Sequence, residues 1–215
     1  MKEVPVSVVM PAFNAERYID EALESVLREP EVGQLIVVDD GSTDSTAARV
    51  SAHAGVELIR QANAGIAAAR NAGIARATRE YMSFLDADDL WPEGRLGALI
   101  HLLESSAVDA AFGSAVQFGE VPEGGRPQPA LVAGGMLIRT AAFRRVGNFN
   151  EDLRLGEFID WWARAEEARL SHAFTTEVVL LRRVHESNTG RLRADARVDY
   201  TRVLRAALTR RRQPR

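Results

Sequence analysis

The sequence predicts an α/β fold, a mainly parallel, Rossmann-like central sheet with helices on both faces. Three observations predict it. Four short apolar runs within the first 85 residues alternate with segments of helical period about ten residues long, which is the spacing of βαβ units. The first, second and fourth runs are followed by Phe13-Asn14, Asp39-Asp40 and Asp86 to Asp89, and parallel sheets bind ligands beyond the carboxyl ends of their strands. The 215 residues, 46% hydrophobic and 27% charged, suit one soluble globular domain large enough to bury a core.

Val4 to Met10 is the first strand, ended by Pro11. Ala15 to Leu27 carries Tyr18, Ile19, Ala22, Leu23, Val26 and Leu27 at helical spacing. Leu35 to Val38 is the second strand. Gly41 permits a tight turn after it, and Ser42, Thr43 or Asp44 can cap the helix through Thr46 and Val50. Val56 to Ile59 is a third strand, and Asn63 and Gly65 open an alanine-rich helix that returns the chain to a strand at 81 to 85. The second half is less regular. It has a helix over Leu96 to Leu103, a strand over Ala110 to Phe118, and a Gly/Pro-rich loop at 119 to 129. A strand from Leu131 to Arg139 contains Gly134 and Gly135, where a ligand or another backbone can approach closely. Helices over Thr140 to Val146 and Glu157 to Ala168 follow, then a strand over Val178 to Val184 ending on His185.

The absence of cysteine excludes disulfides, thiolate metal sites and a cysteine nucleophile. No apolar run is long enough to span a bilayer, and MKEVPVSVVMP has the pattern of a strand rather than a secretion signal, which places the chain in the cytoplasm. The formal charge of −3 is unevenly spread. Residues 182 to 215 hold eleven arginines against Glu186, Asp195 and Asp199, a net +8, which leaves −11 on residues 1 to 181. Arginines at 191, 193, 197, 202, 205 and 210 to 212 interleave with apolar residues, the pattern of a basic amphipathic helix. Such a helix either packs on the acidic body or lies on an anionic membrane. The acidic body argues against nucleic acid as a partner.

Three carboxylates within four positions, Asp86, Asp88 and Asp89, repel one another and call for a cation. A hard divalent ion held by oxygen ligands answers that need. In an extended backbone, Asp86 and Asp88 would point to one side.

Six ordered motifs together resemble the family 2 glycosyltransferases. They are VSVVMPAFNAERYIDEALESVL at 6 to 27, VVDDGSTDST at 37 to 46, NAGIAAARNAGIARA at 63 to 77, FLDADD at 84 to 89, GGMLIRTAAFRRVGNFNEDL at 134 to 153 and RVHESNT at 183 to 189. The resemblance implies the GT-A fold, with a smaller mixed sheet on the acceptor side. It implies one domain over residues 1 to 190, split into a nucleotide-sugar half (1 to 90) and an acceptor half (91 to 190), with 191 to 215 as a basic tail. It further implies inverting transfer of a sugar from a nucleotide diphosphate donor, UDP first, to an acceptor hydroxyl. On this resemblance Pro11, Ala12, Phe13 and Asn14 line the nucleoside pocket. Asp40 accepts from the uracil ring N–H, and Asp39 holds the loop. Arg70 reaches toward the nucleotide, while Asp86, Ala87, Gly134 and Gly135 border the donor. Asp88, with Asp86 and His185, holds a metal ion, Mn²⁺ or Mg²⁺; the imidazole favours Mn²⁺.

One departure stands out. The family supplies its acceptor-activating carboxylate from a Glu-Asp pair at a helix start, and GEFIDWWAR at 156 to 164 has Phe158 in place of that aspartate. Glu157 is the candidate base and Asp160, three residues on and on the same helix face, the alternative. Trp161 and Trp162 are either core or a platform for a flat acceptor. A catalytically weak, glycosyltransferase-like binding subunit is the competing reading. A nucleotidyltransferase would need a glycine-rich basic loop after the first strand, which PAFNAER lacks.

Overall fold

The structure is a computed structural model that describes residues 5–120 and 125–185. Residues 121–124 of the Gly/Pro-rich loop, Glu186 to Thr189 of the last motif, the expected boundary at 190, and the tail 191–215 with its expected membrane contact lie outside the described residues.

The elements are β1 (Val6–Ala12), α1 (Ile19–Leu27), β2 (Val32–Asp39), α2 (Thr46–Ala52), β3 (Val56–Arg60), α3 (Ile66–Arg76), β4 (Tyr81–Phe84), α4 (Arg95–Ser105), β5 (Ala110–Gly119), β6 (Gln128–Pro129), a 3₁₀ turn (Ala133–Gly135), β7 (Met136–Arg139), α5 (Thr140–Val146), α6 (Glu157–Glu167) and β8 (His172–Val184). The sheet runs β3-β2-β1-β4-β7-β5-β6, and β8 also pairs with β5. Strands β3, β2, β1 and β4 are parallel. From β7 onward the sheet is mixed: β7 is antiparallel to both β4 and β5, and β8 is parallel to β5. The mixed part continues the parallel part in one eight-stranded sheet.

Strand β1 is buried along its whole length, as a strand covered on both faces must be. Val6, Val8 and Met10 face a core built with Ile19, Leu23 and Val26 of α1 and Leu96, Leu99 and Leu103 of α4. Val9 faces the opposite core with α3, Phe143 of α5 and Trp161 of α6. Helix α3 lies close on the sheet at Gly73, where an added Cβ would come within 2.5 Å of Val9 Cγ1. These two cores fix β1 between β2 and β4, so the three strand ends named from the sequence share one rim.

Three elements differ from expectation. Helix α1 begins at Ile19 rather than Ala15: a turn precedes it, with the Tyr18 and Ile19 N–H groups both on the Ala15 carbonyl (2.9 and 3.0 Å), while the N–H groups of Ala15 and Glu16 are met by Thr46 Oγ1 (2.8 Å) and Asp44 Oδ2 (3.1 Å) from the neighbouring loop. The strand expected over Leu131 to Arg139 breaks at the 3₁₀ turn and resumes only at Met136. Strand β8 starts six residues earlier than Val178, since His172 to Phe174 pair with Ala110 to Phe112, and a register shift follows before Val178 pairs with Ser114.

Candidate active site

The loops after β1 and β2 are laced together. Asn14 donates its N–H to Ser42 Oγ (2.9 Å) and accepts from the Thr43 N–H (2.9 Å); Glu16 accepts from the Ser45 N–H (3.0 Å). Asp44 accepts from both the N–H and the hydroxyl of Thr46 at the start of α2. Partial burial works against the Asp44 charge, but those bonds hold its carboxyl below the usual range. Gly41 sits at φ +79°, and a Cβ there would meet the Asn63 nitrogen at 2.8 Å, so the turn needs glycine twice over. Phe13 stands exposed at the lip.

Asp39 and Asp40 are both buried, and both act first as loop anchors. Asp39 accepts from the Ser42 N–H (3.0 Å) and Arg60 Nε (3.2 Å). Asp40 Oδ1 accepts from Gln61 Nε2 (2.8 Å) and the Ala64 N–H (2.9 Å), and Oδ2 from the Gly65 N–H (2.8 Å). A carboxylate has about four acceptor positions; one remains on Asp40 Oδ2.

After β4 the chain does not stay extended. The Asp89 N–H donates to the Asp86 carbonyl (3.1 Å), so Asp86 to Asp89 form a turn and the two-residue alternation expected there is replaced. Each carboxylate then takes a separate partner. Asp86 Oδ1 accepts from Arg70 Nη2 (2.6 Å). Asp88 Oδ2 lies 3.0 Å from His185 Nε2. Asp89 Oδ1 accepts from the Arg183 N–H (2.8 Å). Burial and the nearby Asp86 charge push the Asp88 carboxyl up, against the pull of His185. Burial, then Asp86 and Asp88, push Asp89 up to about 8.

Arg70 is buried and uses both ends of its fork. Nη2 holds Asp86, and Nη1 donates to Glu157 Oε1 in a short contact. Burial works against the Arg70 charge, but the carboxylates of Asp86 and Glu157 outweigh it and hold its pKa above the usual value. Glu157 Oε2 accepts from none of the described residues. Asp160, one turn on, accepts from Arg164 Nε (3.0 Å), and Arg164 in turn donates to the Val146 and Asn148 carbonyls. Asn71 also joins the halves: its side chain pairs with both backbone groups of Phe149 and donates to Glu151.

A profile of the family described as Glycosyl transferase family 2 matches residues 7–159. The succinoglycan biosynthesis protein ExoU of Rhizobium meliloti is 33% identical over 192 residues, covering 74% of this chain and 56% of that protein. The chain belongs to glycosyl transferase family 2. Two solved structures share its GT-A fold. Staphylococcus aureus TarS 1-349 in complex with UDP has a TM-score of 0.77 at 20% identity, over 94% of this chain and 64% of that one. The mannosyltransferase PcManGT of Pyrobaculum calidifontis, in complex with GDP-Man and Mn²⁺, has a TM-score of 0.75 at 19% identity, over 98% and 65%. The chain spans little more than half the length of ExoU, 56%, and 17% of that of the glycosyltransferase GlyA of Streptococcus pneumoniae, another curated relative it matches.

Four expected site residues have protein partners of their own. A Cβ on Gly134 would meet Leu180 at 3.3 Å, and one on Gly135 would run into the Ala130 carbonyl, so both positions are tight against protein. Their turn is held from behind by buried Arg95, which donates to the Gly134 carbonyl (3.1 Å) and lies 3.9 Å over the Trp91 ring. Asp86, expected as a metal ligand, is turned to Arg70. Among the described residues no group of three His, Asp or Glu side chains is arranged to hold a metal ion. Asp88 and His185 do fit one as a pair, since their 3.0 Å separation is that of two adjacent ligands each about 2.1 Å from an octahedral ion. Asp160 is tied to Arg164. Phe158, in the position of the family's base, is buried in the second core and stacks on Trp161 and Trp162. Both tryptophans are buried, Trp161 with its indole N–H on the Gly147 carbonyl (2.8 Å), so neither is a platform. The expectations missed Tyr18, whose ring lies 4.8 Å from that of His185, and Arg183, whose guanidinium lies 4.9 Å from the Tyr18 ring centre. Strand alternation places Arg183 and His185 on one side, and that was the available signal.

Proposed function

We propose that this chain transfers a sugar, with inversion, from a nucleoside diphosphate donor to an acceptor hydroxyl, with residues 1 to 90 binding the donor and 91 to 190 the acceptor. The observation that carries the reading is Arg70, whose one guanidinium holds both Asp86 of the donor-side turn and Glu157 of the acceptor-side helix. Donor loop and candidate base thereby sit within one side chain's width, as in-line displacement requires.

Asp88 and His185 are the residues that would hold a divalent cation. Bound there, the ion supplies charge neutralisation to the departing diphosphate. One structural neighbour is in complex with UDP and the other with GDP-Man and Mn²⁺, which supports a nucleoside diphosphate donor and a divalent ion. Phe13 offers an apolar wall to the nucleobase, and the last acceptor position on Asp40 Oδ2 matches the single imide N–H of uracil. Glu157 takes the acceptor proton on Oε2, the oxygen that Arg70 leaves open, while the Arg70 bond orients the carboxylate.

Glu157→Gln tests the assignment. Turnover of a UDP-sugar should fall about 10²- to 10⁴-fold, the usual contribution of a general base, while UDP affinity stays within about twofold of the parent. Unchanged turnover would remove Glu157 from the role.

A further inference from the structure

The Asp86–Asp89 turn carries three carboxylates that repel one another, yet it must stand in a fixed shape before a charged ligand arrives. Something outside the turn has to hold it. We propose that Arg183 is the positioning residue for the diphosphate end of the site: it sets the turn and, through the turn and Tyr18, the approach of Asp88 to His185. The inference rests on the donor-site reading above and assigns Arg183 no contact with substrate.

Five contacts converge on this one residue. Its backbone N–H donates to Asp89 Oδ1 (2.8 Å) and its Nε donates to the Asp88 carbonyl (2.9 Å). Its Nη2 donates to Glu21 Oε2 on α1 (2.5 Å). Its guanidinium lies 4.9 Å from the ring centre of Tyr18 and 4.5 Å from that of Phe118. Tyr18 in turn lies 4.8 Å, ring to ring, from His185. Just before it on β8, Leu181 exchanges two 2.9 Å backbone hydrogen bonds with Leu90, which brings β8 against the chain leaving the turn. Arg183 therefore touches Asp88 and Asp89 directly and His185 through one intervening ring.

The chemistry needs arginine. Nε and Nη2 point in two fixed directions while the flat face is covered by an aromatic ring; a lysine ammonium on a flexible stem can meet one of those demands at a time. The Glu21 partner is 62% exposed in its side chain and adds little by itself, as exposed ion pairs do. The side-chain contact that matters is the one to the Asp88 carbonyl; the Asp89 bond comes from the backbone N–H and survives substitution. Residues standing behind metal ligands typically change metal affinity 10- to 100-fold when removed.

The test measures Mn²⁺ affinity in the presence of saturating UDP, from the free-Mn²⁺ electron paramagnetic resonance signal, on the full chain and on Arg183→Ala, Arg183→Lys and Glu21→Gln. UDP affinity without metal and circular dichroism are recorded alongside. Arg183→Ala and Arg183→Lys should each weaken Mn²⁺ by about 10-fold or more while metal-free UDP affinity holds within about twofold; Glu21→Gln should leave both unchanged. A general loosening of the fold would lower both affinities together, and that result overturns the proposal. So does unchanged Mn²⁺ affinity in folded Arg183→Ala, or in Arg183→Lys should the alanine variant not fold. If the parent chain bound no Mn²⁺ with UDP, the donor-site reading itself would fall and this inference with it.

Discussion

Replacing Arg70 with methionine removes the one cation between Asp86 and Glu157 while keeping most of the side chain's volume. The two carboxylates are then left to each other. Asp86 has a side chain 38% exposed, so its lost pair is screened and worth at most about 1 kcal/mol. Glu157 has only 10% of its side chain exposed, and a buried carboxylate stripped of its partner costs about 3–5 kcal/mol. The expected loss is thus about 3–5 kcal/mol at pH 7, against a total stability of about 5–15 kcal/mol for a domain. Urea unfolding at pH 7, read as a midpoint shift at constant slope, measures it. The double variant Arg70→Met/Glu157→Met should regain most of the loss, because apolar replacement of a buried pair is near neutral. A deficit under about 1 kcal/mol at pH 7, or a double variant that regains none of the loss, would refute the bridge as drawn.

Three further outcomes follow from the same geometry. Phe158→Asp sets an unpaired carboxylate in the second core, so it should lose at least the roughly 3–5 kcal/mol typical of phenylalanine truncation and gain no turnover; a folded, faster enzyme would show that this position still faces the acceptor. Gly135→Ala, whose added methyl meets the Ala130 carbonyl, should cost about 1–3 kcal/mol of overpacking in a thermal melt, with UDP affinity held within about twofold of the parent. Asp44→Ala should cost about 1 kcal/mol above the ordinary carboxyl value of 3.8, where the lowered pKa of Asp44 keeps its stabilisation in place. Below that the difference should vanish as pH falls through the depressed folded value, which acid titration of the two proteins would follow by circular dichroism.

The parallel half of the fold was legible because its strands are apolar throughout and its helices carry a clear period; β1 to β4 appear within a few residues of expectation. The rim followed from that, since adjacent parallel strands end on one side. Side-chain partners were not legible. Arg70 meets Glu157 across 87 positions, and no periodicity encodes a contact of that range. The shape of the acidic stretch was also hidden: Asp-Ala-Asp alternation has meaning only while the strand lasts, and β4 ends at Phe84. The polar half of β8 escaped notice because an edge strand facing solvent lacks the apolar run by which strands are found. Phe158 was visible as a departure, but that it stacks into a tryptophan core rather than lining the acceptor cleft depended on how α6 is rolled.

The most direct test of the central claim is calorimetric titration of UDP, with GDP and dTDP as comparators, in the presence and absence of Mn²⁺, on the parent chain and on Asp88→Ala. The account predicts Mn²⁺-dependent binding that favours UDP and is lost in Asp88→Ala. Absence of binding by any nucleotide under either condition, or binding that Asp88→Ala leaves intact, would contradict it.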